Sequence, residues 1–248
     1  MNETSTLVRG LSILRLFADS PTLSQTEISQ RLGLSLPTVH RLCRTLMSQE
    51  FLTRDLPSKR LRLGREVVRL AQPALERLAD PDRYREVIRS LARETGETCN
   101  LATLAGDEVV YLDTEVPGTR LLRPRVTLGM RAPSYCTALG KALLAGLTDA
   151  QVGELLGPGP YEQRTPHTIT TLADLLADLA AVRRQGYAVS REEYERGLSA
   201  VAVAVPGDDP RWSLAVSVSV PTVRADDAAL AAIVERLVSL RRSLPAWA

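Results

Sequence analysis

Hydrophobic and polar positions change period along the chain, and each change predicts an element. Val8, Leu11, Leu14, Leu16 and Phe17 recur at helical spacing up to Asp19-Ser20-Pro21, which predicts a first amphipathic helix. Ser24 and Glu27 have the spacing of a capping box, and the helix they open carries Ile28 and Leu32 before stopping at Gly33. Ser35 caps a third helix that tolerates Pro37 in its first turn and aligns Val39, Leu42, Cys43 and Leu46 on one side. The period then shortens to two. FLTRD and KRLRLG flank Leu56-Pro57-Ser58 and predict a β-hairpin, with Arg60 and Arg62 on one side of its second strand and Leu61 and Leu63 on the other.

The stretch REVVRLAQPALERLADPDRYREVIRSLARETG is helical but broken at Pro73 and Pro81, giving helices over 65–79 and 82–95. Its stripe of Leu70, Leu75 and Leu78 suits either packing on its own domain or a seam between two copies. Beyond Gly96 the elements mix. TCNLATLA and EVVYLDTEV form a hairpin across Gly106-Asp107, LLRPRVTL is a further strand, and GYAVS opens another. CTALGKALLAG, DAQVGELLG, LADLLADLAAVRRQG and DDAALAAIVERLVSLRRSL are helices. Strands with helices gathered around them mean an α+β domain.

Two strands, SAVAVAV and LAVSVSV, are lopsided. One face holds Val201, Val203, Val205, Val216, Val218 and Val220; the other holds only Ala200, Ala202, Ala204, Ala215, Ser217 and Ser219. A light face either admits a helix very close or leaves a cavity. The serines favour a cavity, because a buried hydroxyl without a partner costs ~1–3 kcal/mol. A neighbouring backbone carbonyl could also take each of them.

At 248 residues and 44% hydrophobic, the chain can hold one large domain or two smaller ones. No apolar run approaches the ~18–20 residues that span a bilayer, and MNETSTLVRG is not a secretory signal, so a cytoplasmic protein away from membranes is expected. Cys43, Cys99 and Cys136 are too scattered for a disulfide framework. With His40 and His167 as the only histidines, neither a metal site nor a cofactor is expected.

Net charge is only +2, yet residues up to Arg65 carry ten basic side chains against five acidic, a balance of +5 that leaves −3 elsewhere. A polyanion is the expected partner of the basic part. The third helix turns Arg41 and Arg44 away from its buried stripe, with Thr38, His40 and Thr45 on the flanks and Ser35 at its start. The hairpin adds Lys59, Arg60 and Arg62. Helix, turn, helix and basic wing together point to double-stranded DNA, read in the major groove by the helix and held at phosphates by the wing. Taken singly, each of these arginines could be an ordinary solvated side chain.

Two segments could complete a small-molecule site beside the light face. Tyr135, Cys136 and Thr137 start the helix that runs on through Ala138, Leu139, Gly140 and Lys141, where backbone N–H groups suit a carboxylate. SREEYERG supplies Ser190, Glu192 and Glu193, though the glutamate pair equally fits a solvated turn. A different reading makes Tyr135, Cys136 and Lys141 a low-pKa thiol centre, either enzymatic or redox-sensing. Against it stand the plainer role of a buried thiol and the absence of any evident Ser-His-Asp set.

With LSQTEISQRLGLSLPTVHRLCRTL, the RLRLG wing, TALGKALLAG and GYAVSREEYERGLSAVAVAVP…AVSVSVP, nearly the whole chain resembles the isocitrate lyase regulator (IclR) family of bacterial transcription factors. The resemblance implies a winged helix-turn-helix over 1–64, a linker helix over 65–81 and a GAF-like α/β effector-binding domain over 82–248. It implies dimers, or dimers of dimers, on palindromic operators, acting as repressors or activators under small organic acids or aromatic metabolites. Effector contacts would fall on Thr137, Ala138, Leu139, Ser190, Ala200, Ser217 and Ser219. Ser190 replaces a commoner aspartate, Ala200 a commoner cysteine or serine, and Tyr135 a frequent histidine. Those departures favour a larger or more apolar ligand over a small, highly charged keto acid.

Overall fold

A computed structural model describes residues 5–18, 20–78, 81–118, 129–205 and 213–243, with side chains outside 73–78 and 81–83. The chain divides into two units, residues 1–77 and 78–248.

In the first unit α1 (Ser5–Arg15), α2 (Gln25–Leu32) and α3 (Leu36–Ser48) precede the antiparallel pair β1 (Leu52–Arg54) and β2 (Leu61–Leu63) and then α4 (Arg65–Leu78). Ile13, Phe17, Leu23, Ile28, Val39, Leu42, Cys43, Leu52 and Leu61 form its core. The first helix departs from its expected stripe. It gives way after Arg15 to a 3-10 turn over Leu16–Ala18, which brings Phe17 into the core opposite Ile13. Val8 and Leu11 stay exposed at 41% and 46%. Asp19, read as part of the stop, lies outside the described residues.

The second helix is built as its spacing predicts. Ser24 Oγ accepts from the Glu27 N–H at 3.2 Å, and Glu27 Oε2 accepts from the Ser24 N–H at 2.7 Å. Gly33 ends the helix in the left-handed region, at φ 62°, which favours a residue without a Cβ. Ser35 differs from expectation. Its hydroxyl makes no capping bond to the backbone and instead pairs with Thr38 Oγ1 at 2.8 Å. Leu23 and Leu61 exchange backbone hydrogen bonds of 3.0 and 2.8 Å, so the segment before α2 is stitched to the wing.

Those contacts give Glu27 an acid signature. The Ser24 backbone and hydroxyl bonds, with Arg60 adding to them, hold its carboxyl at about 2 against an ordinary 4.5. A depressed carboxylate contributes stability that is complete above the unfolded value and lost as pH falls toward the folded one. The melting-temperature gap between wild type and Glu27→Gln is therefore expected to hold above pH 4.5 and to close as pH falls toward about 2. A gap independent of pH would contradict it.

The second unit begins with α5 (Pro81–Thr95) and contains one antiparallel sheet in the order β5-β4-β3-β8-β7-β6. The strands are β3 (Thr98–Ala105), β4 (Glu108–Glu115), β5 (Arg131–Pro133), β6 (Ala188–Arg191), β7 (Leu198–Val205) and β8 (Leu214–Pro221). Helices α6 (Ala138–Leu144), α7 (Asp149–Leu156), α8 (Leu172–Gln185) and α9 (Asp227–Ser243) complete it. This α+β layering agrees with the alternation read from the sequence. The short strand β5 was not foreseen; the expected strand LLRPRVTL and the turn at Pro206-Gly207-Asp208 lie outside the described residues, as do the side chains of Leu75 and Leu78.

The two sheet faces have different covers. The valine face of β7 and β8 packs with Tyr84, Ile88, Leu91, Leu230, Ile233 and Leu237 of α5 and α9. On the light face, Ala138, Leu139, Ala142 and Leu143 of α6 lie against Ala102, Ala188, Ala202 and Ala215. Helix α6 is itself covered on its far side, where Leu144 joins Val152, Leu175 and Leu179 of α7 and α8. Gly140 lets α6 lie against the Ser134 backbone: a Cβ there would stand 2.1 Å from Ser134 O and 2.3 Å from its Cα, so no side chain fits.

Candidate DNA interface and effector site

Burial of Val39, Leu42 and Cys43 fixes which side of α3 faces outward. His40, Arg41, Arg44 and Thr45 are exposed there, with Ser35 exposed at the helix start and Thr38 half-buried beside it. The wing keeps Lys59 and Arg62 exposed, Lys59 in a left-handed turn at φ 57°. Among the described residues, Arg41, Arg44, Lys59 and Arg62 enter no ion pair. They form an exposed cationic surface, the arrangement that phosphates and guanine edges require.

Arg60 is a correction. Its guanidinium turns back into the unit, donating to Thr22 Oγ1 at 3.0 Å, Thr22 O at 3.1 Å and Glu27 Oε1 at 3.0 Å. Glu27 thus caps α2 and holds the wing together. Leu61 is fully buried, whereas Leu63, two residues on in β2, is 39% exposed.

The light face answers to both physical explanations, divided along the strands. Pairing aligns Ser190, Ala200, Ser219 and Thr98 in one row across β6, β7, β8 and β3. The next row holds Ala188, Ala202, Ser217, Asn100 and Thr114. Helix α6 covers the alanine part; the serines belong to a polar end. There Asn100 Nδ2 donates to Ser217 Oγ at 3.2 Å and Ser219 Oγ at 3.1 Å, while Thr114 Oγ1 donates to Asn100 Oδ1 at 2.9 Å. Asn100 is fully buried, Ser217 is 1% exposed and Ser219 8%. Sequence reasoning missed Asn100 and Thr114. The usable signal was TCNLATLA itself, in which Thr98, Asn100 and Ala102 alternate on the face that pairs with the serines.

The other expected effector residues differ in what they contact. Ala200 sits between Ser190 and Ser219, half-buried. The Ser190 hydroxyl donates to Cys136 O at 3.2 Å, so it braces the turn ahead of α6. Thr137 caps α6, accepting from the Gly140 N–H at 3.1 Å, which removes one N–H from any ligand. Ala138 and Leu139 are core residues of the helix–sheet contact.

Tyr135 and Cys136 are corrections. They point away from the serines into the cluster of α7 and α8, where Tyr135 stacks on Tyr161 with ring centroids 4.9 Å apart and donates to Glu162 O at 2.8 Å. A 3-10 turn over Ser134–Cys136, rather than a helical start, sets that direction. Burial pushes the Cys136 thiol up to about 12, so it is protonated at neutral pH and unsuited to the thiolate chemistry of a nucleophile or redox sensor.

Lys141 and Glu193 were not foreseen as partners. The lysine is 1% exposed, with Nζ 2.7 Å from Glu193 Oε1 and 3.1 Å from Asp178 Oδ2. Glu193 is buried rather than solvated, and Thr165 and Thr168 hydroxyls hold its loop by donating to Glu192 O and Glu193 O at 2.6 and 2.7 Å. Burial pushes the Glu193 carboxyl above the usual range, and the Lys141 ammonium opposes that rise.

Two open grooves of about 520 Å³ each run along α5 and α9, on the valine side of the sheet, and neither includes an expected effector residue. No group of three His, Cys, Asp or Glu converges among the described residues. No described helix is long and apolar enough to cross a membrane.

Residues 6–56 match the IclR helix-turn-helix domain, and residues 74–244 match the bacterial transcriptional regulator IclR C-terminal family. The chain is 35% identical over 230 residues to the HTH-type transcriptional regulator XynR of Escherichia coli (strain K12), covering 92% of this chain and 91% of that one. It is 33% identical over 238 residues to the HTH-type transcriptional regulator BhcR of Paracoccus denitrificans (strain Pd 1222), covering 96% and 85%. The crystal structure of an IclR transcriptional regulator from Alicyclobacillus acidocaldarius superposes with a TM-score of 0.79 at 28% identity, covering 97% of both chains.

Proposed function

The chain belongs to the IclR family of bacterial transcriptional regulators, and on that premise we propose that it is a repressor whose hold on a double-stranded operator is set by a small organic ligand. It is a DNA-binding regulator with a helix-turn-helix domain, as its relatives are. The observation that carries the finer reading is the pairing of two unlike surfaces in one chain. One is the exposed face of α3 with Lys59 and Arg62; the other is the buried polar end of the light sheet face.

Arg41, Arg44 and the wing cations supply phosphate and base contacts, with Ser35, Thr38, His40 and Thr45 adapting to the sequence read. Ser217, Ser219, Ala200 and Ser190 line the ligand end, with Asn100 and Thr114 behind the serines. An organic acid or aromatic metabolite suits a site of this kind: apolar alanines with a few fixed hydroxyls. The regulator acts in the cytoplasm as a homodimer or a dimer of dimers on a two-fold operator. The ligand must prefer one arrangement of that assembly, since equal affinity for two arrangements shifts neither.

The test is a salt titration with DNA upstream of the protein's own gene against a scrambled duplex. Affinity for both should fall with salt, by a slope of about 0.9 per phosphate neutralised, while the upstream DNA keeps an advantage. Equal affinity for the two at every salt concentration defeats the DNA reading. A thermal-shift screen of organic acids and aromatics checks the ligand half, because a ligand at 100 times its dissociation constant stabilises by ~2.7 kcal/mol.

A further inference from the structure

The hydroxyls of Ser217 and Ser219 leave one question of chemistry open: whether this end of the light face donates or accepts. Asn100 answers it. A primary amide has two N–H donors and a carbonyl acceptor, and a serine hydroxyl has one donor and two acceptor positions. Thr114 Oγ1, 2.9 Å away, donates to Asn100 Oδ1, and the amide nitrogen faces β8. Both amide protons then go to serines, at 3.2 Å to Ser217 and 3.1 Å to Ser219. Each serine oxygen is an acceptor in that contact, so each serine proton must be given elsewhere. Among the described residues neither proton has an acceptor, although Ser217 is 1% and Ser219 8% exposed. Two buried donors without acceptors, on one face, ask for an oxygen that is not part of the chain.

We propose that Asn100 is a positioning residue that makes Ser217 and Ser219 a pair of donors, so that this end of the light face takes a carboxylate or carbonyl oxygen and refuses an ammonium. The proposal rests on reading the light sheet face as the effector site. It adds what that reading lacks, a residue that never touches the ligand yet decides which head group enters. Asp at the same position would accept from both serines and from Thr114, turning every hydroxyl proton away from the ligand and adding a negative charge.

A joint neutron and X-ray structure of the deuterium-exchanged full-length protein tests the polarity directly. Asn100 deuterons should point at both serine oxygens, and both serine deuterons should point away from Asn100. Serine deuterons aimed at Asn100 overturn the proposal. Head-group choice is read from thermal shifts with benzoate and benzylamine, which share a ring and differ in the group they present. Benzoate should raise the melting temperature of the wild type and benzylamine should not, and Asn100→Asp should reverse that order. Benzylamine preferred by the wild type, or one order in both proteins, overturns it. Should Asn100→Asp not fold, Thr114→Val, which lets the amide turn, is expected to abolish the preference; an unchanged preference counts against the proposal. If neither compound shifts any of these proteins while the deuterons lie as expected, the effector-site reading falls, and the ligand half of the proposal with it.

Discussion

Lys141→Met is expected to lower stability by about 3–5 kcal/mol, the usual consequence of removing one partner from a buried ion pair. The ammonium is 1% exposed and is the cation facing both Glu193 and Asp178. Without it, the Glu193 carboxylate is left in the interior with Oε2 already lacking a hydrogen-bond partner among the described residues. Urea unfolding monitored at neutral pH gives the measurement. The sign of its pH dependence follows from Glu193, whose carboxyl is already pushed up by burial. A raised carboxyl favours the folded state when protonated, so the deficit of Lys141→Met relative to wild type should shrink as pH falls into the range where Glu193 takes up a proton. The double variant Lys141→Met/Glu193→Leu removes both charges of the buried pair, leaving the part-exposed Asp178, and should recover much of the loss. A single variant as stable as wild type at neutral pH would mean that the pair does not hold α6, α8 and the loop before β7 together.

The second large effect concerns DNA. Arg41→Ala/Arg44→Ala is expected to weaken operator binding by roughly 2–6 kcal/mol, taking about 1–3 kcal/mol per arginine that reads a base and near-additivity. Both side chains are exposed and without ion pairs among the described residues, so the melting temperature should not move. The salt slope sorts their roles. An arginine on a phosphate lowers the slope by about 0.9 and weakens all sequences alike, whereas one on a base edge narrows the gap between operator and scrambled DNA. Unchanged operator affinity in the double variant would remove α3 from the interface.

Local chemistry explains which features could be read in advance. The capping box at Ser24 and Glu27, the left-handed stop at Gly33 and the alternating valines of β7 and β8 depend on residues a few positions apart, and each stands where its spacing places it. What escaped depends on distant partners. Arg60 counts as one more cation in the chain, and only the fold brings it to Glu27, 33 residues earlier. Lys141 and Glu193 meet across 52 residues, and Asn100 meets Ser217 across 117. Direction is a second kind of loss. Tyr135 and Cys136 precede a helix on the right segment, but a 3-10 turn there rotates them to the wrong side of α6. The light face was ambiguous because two small residue types have separate causes: alanine makes room for a helix, and serine marks the polar end.

Arg60 has a mechanical consequence. Because one guanidinium bolts the hairpin to the start of α2, the distance between what the hairpin tip touches and what α3 touches is a constant of the fold. Such a reading head has a fixed bite. On the proposed function, an operator half-site has to match that gauge, and the ligand has to act by moving the head as a whole rather than by adjusting one jaw against the other.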